Sequence, residues 1–127
     1  MNPFYSGTPK TSVATLSTAN STLDGTTGTF ATLVTGVATG SVVLGCVFKA
    51  IQATSAGMIR LFVDNTTTKF LLDEIEVPES GPSSTVKSLK LVWVPDFTLI
   101  LPSTSYILKA TTENAESFRV ITGYGDY

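Results

Sequence analysis

The chain has 127 residues, enough for one domain, and 43% of them are hydrophobic, so a true core is within reach without disulfides or metal. Only 14% are charged, the net charge is −2, and the eight Lys and Arg are scattered, which argues against nucleic acid as a partner because phosphate binding needs a basic face. No stretch approaches the ~18–20 apolar residues of a membrane span, and Met1–Lys10 has no apolar signal core, so the expectation is a chain made in the cytoplasm with no membrane partner.

Helical periodicity is nearly absent, whereas short strand signals recur between Gly, Pro, Asn, Asp and Ser. The first ten residues read as an arm, because two prolines and a glycine prevent regular structure. Phe4 and Tyr5 in that arm need cover, from a neighbouring subunit or from the body's own surface. Strands are expected over 12–19 and 29–35, with an Asp24-Gly25 turn between them. The run 42–53 reads as a central strand buried on both faces. Residues 58–64 alternate cleanly, with Ile59, Leu61 and Val63 on one face. A tight Asn65–Thr68 hairpin leads to 69–77, where Phe70 and Leu72 share one parity and Ile75 and Val77 the other. A bulge near Asp73-Glu74 would restore a common face. A long loop, 78–85, precedes strands at 86–94, 97–101, 106–112 and 117–122, and a glycine-rich tail, 123–127, closes the chain.

That pattern predicts an all-β protein, a single antiparallel β-sandwich, jelly-roll-like, with an extended N-terminal arm. The expected organisation is an arm over 1–11 and a sandwich domain over 12–127. Ser and Thr supply about a quarter of the chain, above ordinary usage, and such a weakly charged, threonine-rich surface suits cover by a partner.

No chemistry-bearing constellation emerges. The chain has no histidine, which removes Ser-His-Asp and Cys-His nucleophilic systems and the commonest metal ligand. Asp73, Glu74 and Glu76 cluster, but adjacent positions on a strand point to opposite faces, and Glu74 with Glu76 reads as a solvated face rather than a glycosidase pair. Glu113 and Glu116 bracket a hairpin tip. Asp24, Asp64 and Asn65 are too sparse for calcium. Gly36–Gly40 lacks the Lys-Ser/Thr and helix of a phosphate loop. Cys46, the one cysteine, lies in an apolar run and reads as a buried thiol. Tyr5, Trp93, Tyr106, Tyr124 and Tyr127 could stack on a sugar, although the parity of Trp93 favours the core. The expectation is therefore no enzyme, no cofactor and no metal site.

Three stretches carry a resemblance: TANSTLDGTTGTFATLVTG (18–36), AGMIRLFVDNTTTKFLLDEIEV (56–77) and LILPSTSYILKATTENAESFRVITGYGDY (99–127). Together they resemble a family of small virion proteins of tailed bacteriophages, often encoded near the major capsid protein. One departure is Gly123-Tyr124-Gly125 in place of the usual glycine pair near the end. The resemblance implies a capsid cement or decoration protein on the outer head surface, with the major capsid protein and further copies of itself, a trimer first, as partners. The alternative is a carbohydrate- or receptor-binding module of a fibre or tail. The interface residues expected on this reading are Met1, Asn2, Pro3, Phe4 and Tyr5 of the arm, and Tyr124, Asp126 and Tyr127 of the tail.

Overall fold

The computed structural model describes residues 7–127. It holds nine strands: β1 (Thr8–Leu16), β2 (Ala31–Thr35), β3 (Ser41–Ala50), β4 (Gly57–Asp64), β5 (Lys69–Val77), β6 (Lys90–Trp93), β7 (Leu99–Leu101), β8 (Ile107–Thr112) and β9 (Phe118–Asp126). All named pairs are antiparallel. The first sheet runs β1-β9-β3-β6, with β7 also on β3, and the second runs β2-β8-β4-β5. β6 pairs with Cys46–Lys49 and β7 with Ser41–Val43, so they act as one edge strand interrupted at 94–98. Counted that way, the two sheets have four strands each and the order of a jelly roll.

Alternation explains which residues meet between the sheets. Phe48, Phe118, Val120, Trp93, Leu99 and Leu101 face inward from the first sheet, and Ile59, Leu61, Leu108 and Ala110 from the second. Phe48, Ile59, Leu61 and Phe118 are wholly buried. Cys46 is buried too, its Sγ 3.3 Å from Thr122 Oγ1, and burial pushes its thiol pKa up.

Three registers slip by one residue. Leu33 is the extra residue on β2, Leu44 on β3 and Leu72 on β5. The β5 slip lies between Leu71 and Asp73, whereas Asp73↔Leu61 and Glu74↔Arg60 pair regularly. The parity change expected at Asp73-Glu74 is thus real but falls one residue earlier. It leaves Asp73 on the core side, where its Oδ2 accepts the Trp93 indole N–H at 2.8 Å, tying the edge of one sheet to the edge of the other. Glu74 and Glu76 face outward and are exposed.

Several boundaries differ from the sequence expectation. β1 begins at Thr8, because residues 8–11 pair with Gly123–Asp126; the expected arm boundary at residue 11 therefore cuts through a strand. β9 continues through the expected tail, paired with β1 on one side and β3 on the other. β6 begins only at Lys90, because Ser83 and Val86 close a turn first. β3 is central, but its outer side is only partly covered, with Leu44 exposed.

The loop after β1 is built around Asn20. Its amide donates to the carbonyls of Thr27 (3.0 Å) and Thr29 (3.1 Å), and its Oδ1 accepts the Thr22 N–H (3.0 Å). Gly28, at φ +88, presses against that amide, where a Cβ would come within 2.4 Å. The loop delivers Phe30 edge-on to Phe62 at 5.1 Å, on the outer side of the second sheet.

Two outcomes follow for stability. Phe48→Ala should cost about 3–5 kcal/mol in urea unfolding at unchanged m-value, as for other large-to-small core changes. Asp73→Ala should cost about 1–3 kcal/mol, because it leaves the buried indole N–H of Trp93 without an acceptor; Asp73→Asn, which keeps an acceptor oxygen, should cost less.

Candidate interaction surfaces

Among the described residues, no group of three or more His, Cys, Asp or Glu is placed to hold a metal ion, and no helix is long and apolar enough to cross a membrane. Asp64, Asp73, Glu74, Glu113 and Glu116 are committed to contacts within the fold. Arg60, nearly buried, is gripped by Glu74 Oε1 at 2.8 Å and by Glu113 Oε2. Glu116 Oε1 accepts the Ser55 N–H at 2.6 Å. Lys109 Nζ meets Asp64 Oδ2 at 2.8 Å, and that donor holds the Asp64 carboxyl below the usual range. Such groups are structural fasteners.

Two surfaces remain. The first is the end of the sandwich where the described chain begins and finishes. Thr8, Asp126 and Ser41 lie side by side across β1, β9 and β3. Asp126 accepts from Lys10 Nζ at 2.6 Å and from Ser41 Oγ at 2.7 Å, and these donors hold its carboxyl below the usual range. Tyr127 donates its N–H to Gly40 O at 3.0 Å, and its carbonyl accepts from Thr39 Oγ1 at 2.6 Å. Gly7 sits against the backbone of Asp126 and Tyr127.

Of the expected interface residues, Tyr124 is half-buried and packs on the core, Asp126 is buried in its ion pair, and Tyr127 is half-buried at the strand end. Met1, Asn2, Pro3, Phe4 and Tyr5 lie outside the described residues, and β1 leads from that segment into the body at this same end.

The second surface is the outer face of the first sheet, which sequence reasoning missed. Register assembles it in rows. Val13, Ile121, Val47 and Val92 form one continuous row across β1, β9, β3 and β6. Val13 is 78% exposed, Val92 61% and Ile121 45%. Two residues along, Thr15, Arg119, Lys49 and Lys90 form a parallel row. On the other side Gly123 faces Gly45, leaving that part of the sheet flat. A Cβ on Gly45 would lie 2.7 Å from the Trp93 carbonyl, so this close approach of β3 and β6 requires glycine.

Beyond the glycines, the Leu44 bulge and the break at 94–98 open a groove of about 370 Å³ lined by Val42, Leu44, Val94 and Phe97, with Asp96 on its rim. Phe97 and Phe70 are exposed aromatics on different sheets, whereas Trp93 is buried and Tyr106 packs on the core. They do not make one stacking platform.

Acid titration should report the Asp126 fastening. Its carboxyl stays ionised to lower pH folded than unfolded, so stability is full above the ordinary carboxylate pKa of about 4 and is lost as pH falls through the lower folded value. Asp126→Asn should lower stability at pH 7 by about 1–2 kcal/mol and flatten the fall between pH 5 and 2; an unchanged acid profile in chemical denaturation would contradict the assignment.

No family model matches this chain, and no curated protein matches it. Among solved structures, one described as the cyanophage Pam1 capsid asymmetric unit is similar at 17% identity, covering 100% of this chain and 92% of that one, with a TM-score of 0.43. At that level the likeness assigns no function and adds nothing to the fold already described.

Proposed function

We propose that this protein is a non-enzymatic structural component of a tailed-phage virion, seated on the outer surface of the head as a cement or decoration protein. The reading joins the resemblance of residues 18–36, 56–77 and 99–127 to one structural observation: β1 starts at Thr8 beside Asp126, so the described chain enters and leaves the sandwich at one end. A rigid jelly roll whose first and last strands begin and finish at one end is suited to attachment through that end. The arm, with Phe4 and Tyr5, then supplies apolar contacts to the major capsid protein. Tyr127, hydrogen-bonded to Gly40 O, belongs to the same end of the described sandwich. A β-sandwich held by a large core brings little conformational entropy cost to such a contact.

The test uses purified heads that lack this chain, with the protein added back. Full-length protein should saturate the shell at hundreds of copies per head and raise the temperature at which heads release DNA. A variant lacking residues 1–6 should keep its circular dichroism and melting temperature but bind at least tenfold more weakly. A handful of copies at a vertex or tail would contradict the reading, and binding to a glycan array without head binding would favour the carbohydrate-binding alternative.

A further inference from the structure

β1 adds pairing to the sandwich but almost no core. Of its nine residues only Leu16 is buried, and only Ala14 packs on the core beside it. Thr8, Pro9, Lys10, Thr11 and Val13 are exposed, and Ser12 is half-buried. By contrast β9, its partner, buries Phe118, Val120 and Thr122.

β1 is also an edge strand. It pairs with β9 alone, whereas β9 keeps a second ladder, to β3, over its whole length. Removal of β1 therefore breaks no pairing inside the sandwich. Besides the ladder, two side-chain ties hold residues 8–13. Lys10 Nζ meets Asp126 Oδ2 at 2.6 Å, and Ser12 Oγ donates to Leu33 O at 2.6 Å. The Lys10 side chain is largely in water, where an ion pair adds little. Pro9 brings no N–H to the ladder. Backbone hydrogen bonds gain little net over those made to water, and ordering each residue costs entropy. Apolar burial usually tips that balance, and residues 8–13 supply almost none. From Ala14 onward the balance changes. Leu16 is 3% exposed within the core, and Arg119 Nη1 donates to Thr15 Oγ1 at 3.0 Å.

We infer that residues 8–13 form a strap that swings off β9 while the sandwich stays folded, hinged at Ala14 and anchored by Leu16. A unit of low local stability is thus placed where the described chain enters the body. Opening frees six residues, about 20 Å of chain when extended, ahead of the anchor. It uncovers the side of β9 that faces β1, while the side bonded to β3 stays closed. The inference concerns the free protein and holds whether or not the arm attaches to a head. On the attachment reading, the strap sets how far the arm reaches from the body.

Native-state hydrogen exchange on the full-length chain tests it, read at the amides of β9. Alternate β9 amides point to β1 and to β3, so one strand carries both the probe and its reference. The amides bonded to β1 should exchange at least tenfold faster than those bonded to β3. Their exchange should depend only weakly on urea below the unfolding transition, because opening uncovers little surface. A staple supplies the control. Thr11 lies opposite Gly123, and a Cβ on Gly123 meets nothing within 4 Å, so T11C/G123C can close a disulfide across the strap without displacing a neighbour. Cys46 is buried and does not compete. The oxidised staple should abolish most of the gap between the two sets of amides, and reduction should restore it. A wild-type gap below tenfold, a urea dependence equal to that of the β3-facing set, or a gap that the oxidised staple leaves unchanged would each overturn the inference. Should the staple variant melt early, the wild-type urea series decides alone.

Discussion

Everything on the outer surface of the first sheet depends on one constraint, the period of two along a β-strand. A strand that buries one set of alternate residues must expose the other, and a slip of one residue exchanges them. The core selects Phe118 and Val120 of β9, Phe48 of β3 and Trp93 of β6 for burial. The same registers then leave Arg119, Ile121, Val47, Lys49, Lys90 and Val92 outside, and they leave them in straight rows. The apolar and basic rows are therefore as well positioned as the core itself. No loop ordering is needed to create them.

The departures from regular pairing serve the same end. Leu44 bulges where the opposite edge strand breaks at 94–98, and the two irregularities together make the groove beside Phe97. Leu72 bulges where β5 must bring Asp73 to Trp93. Bulges bend a strand and redirect its side chains, and each here lies beside either a tie between the sheets or an exposed feature. At the far end, Asp126 with Lys10 and Ser41 fastens three strands where the chain enters and leaves the body.

Much of the fold was legible because its signals are local. Strand β4 alternates visibly, β5 alternates on either side of one parity change, and the Asn65–Thr68 turn announces itself, Asn65 Oδ1 accepting the N–H groups of Thr67 and Thr68. The inward parity of Trp93 was readable for the same reason. The outer rows were not. They depend on β1 meeting β9 and β9 meeting β3 in one register, and those strands are far apart in sequence. Gly123–Tyr127 read as a tail because glycine weakens a strand; in the structure Gly123 is tolerated opposite Gly45, where bare backbone on both strands makes a flat patch. The Leu33 and Leu44 bulges had no local signature. The exposed valines looked like ordinary strand alternation until pairing put them in line.

The central claim is that the sandwich attaches through the end where β1 enters and β9 leaves. Hydroxyl-radical footprinting of head-bound against free protein tests it most directly. The account predicts protection concentrated at Tyr124 and Tyr127, with Leu23 and Val86, which are exposed away from that end, labelled equally in both states. Equal labelling of Tyr124 and Tyr127 in the two states would contradict it.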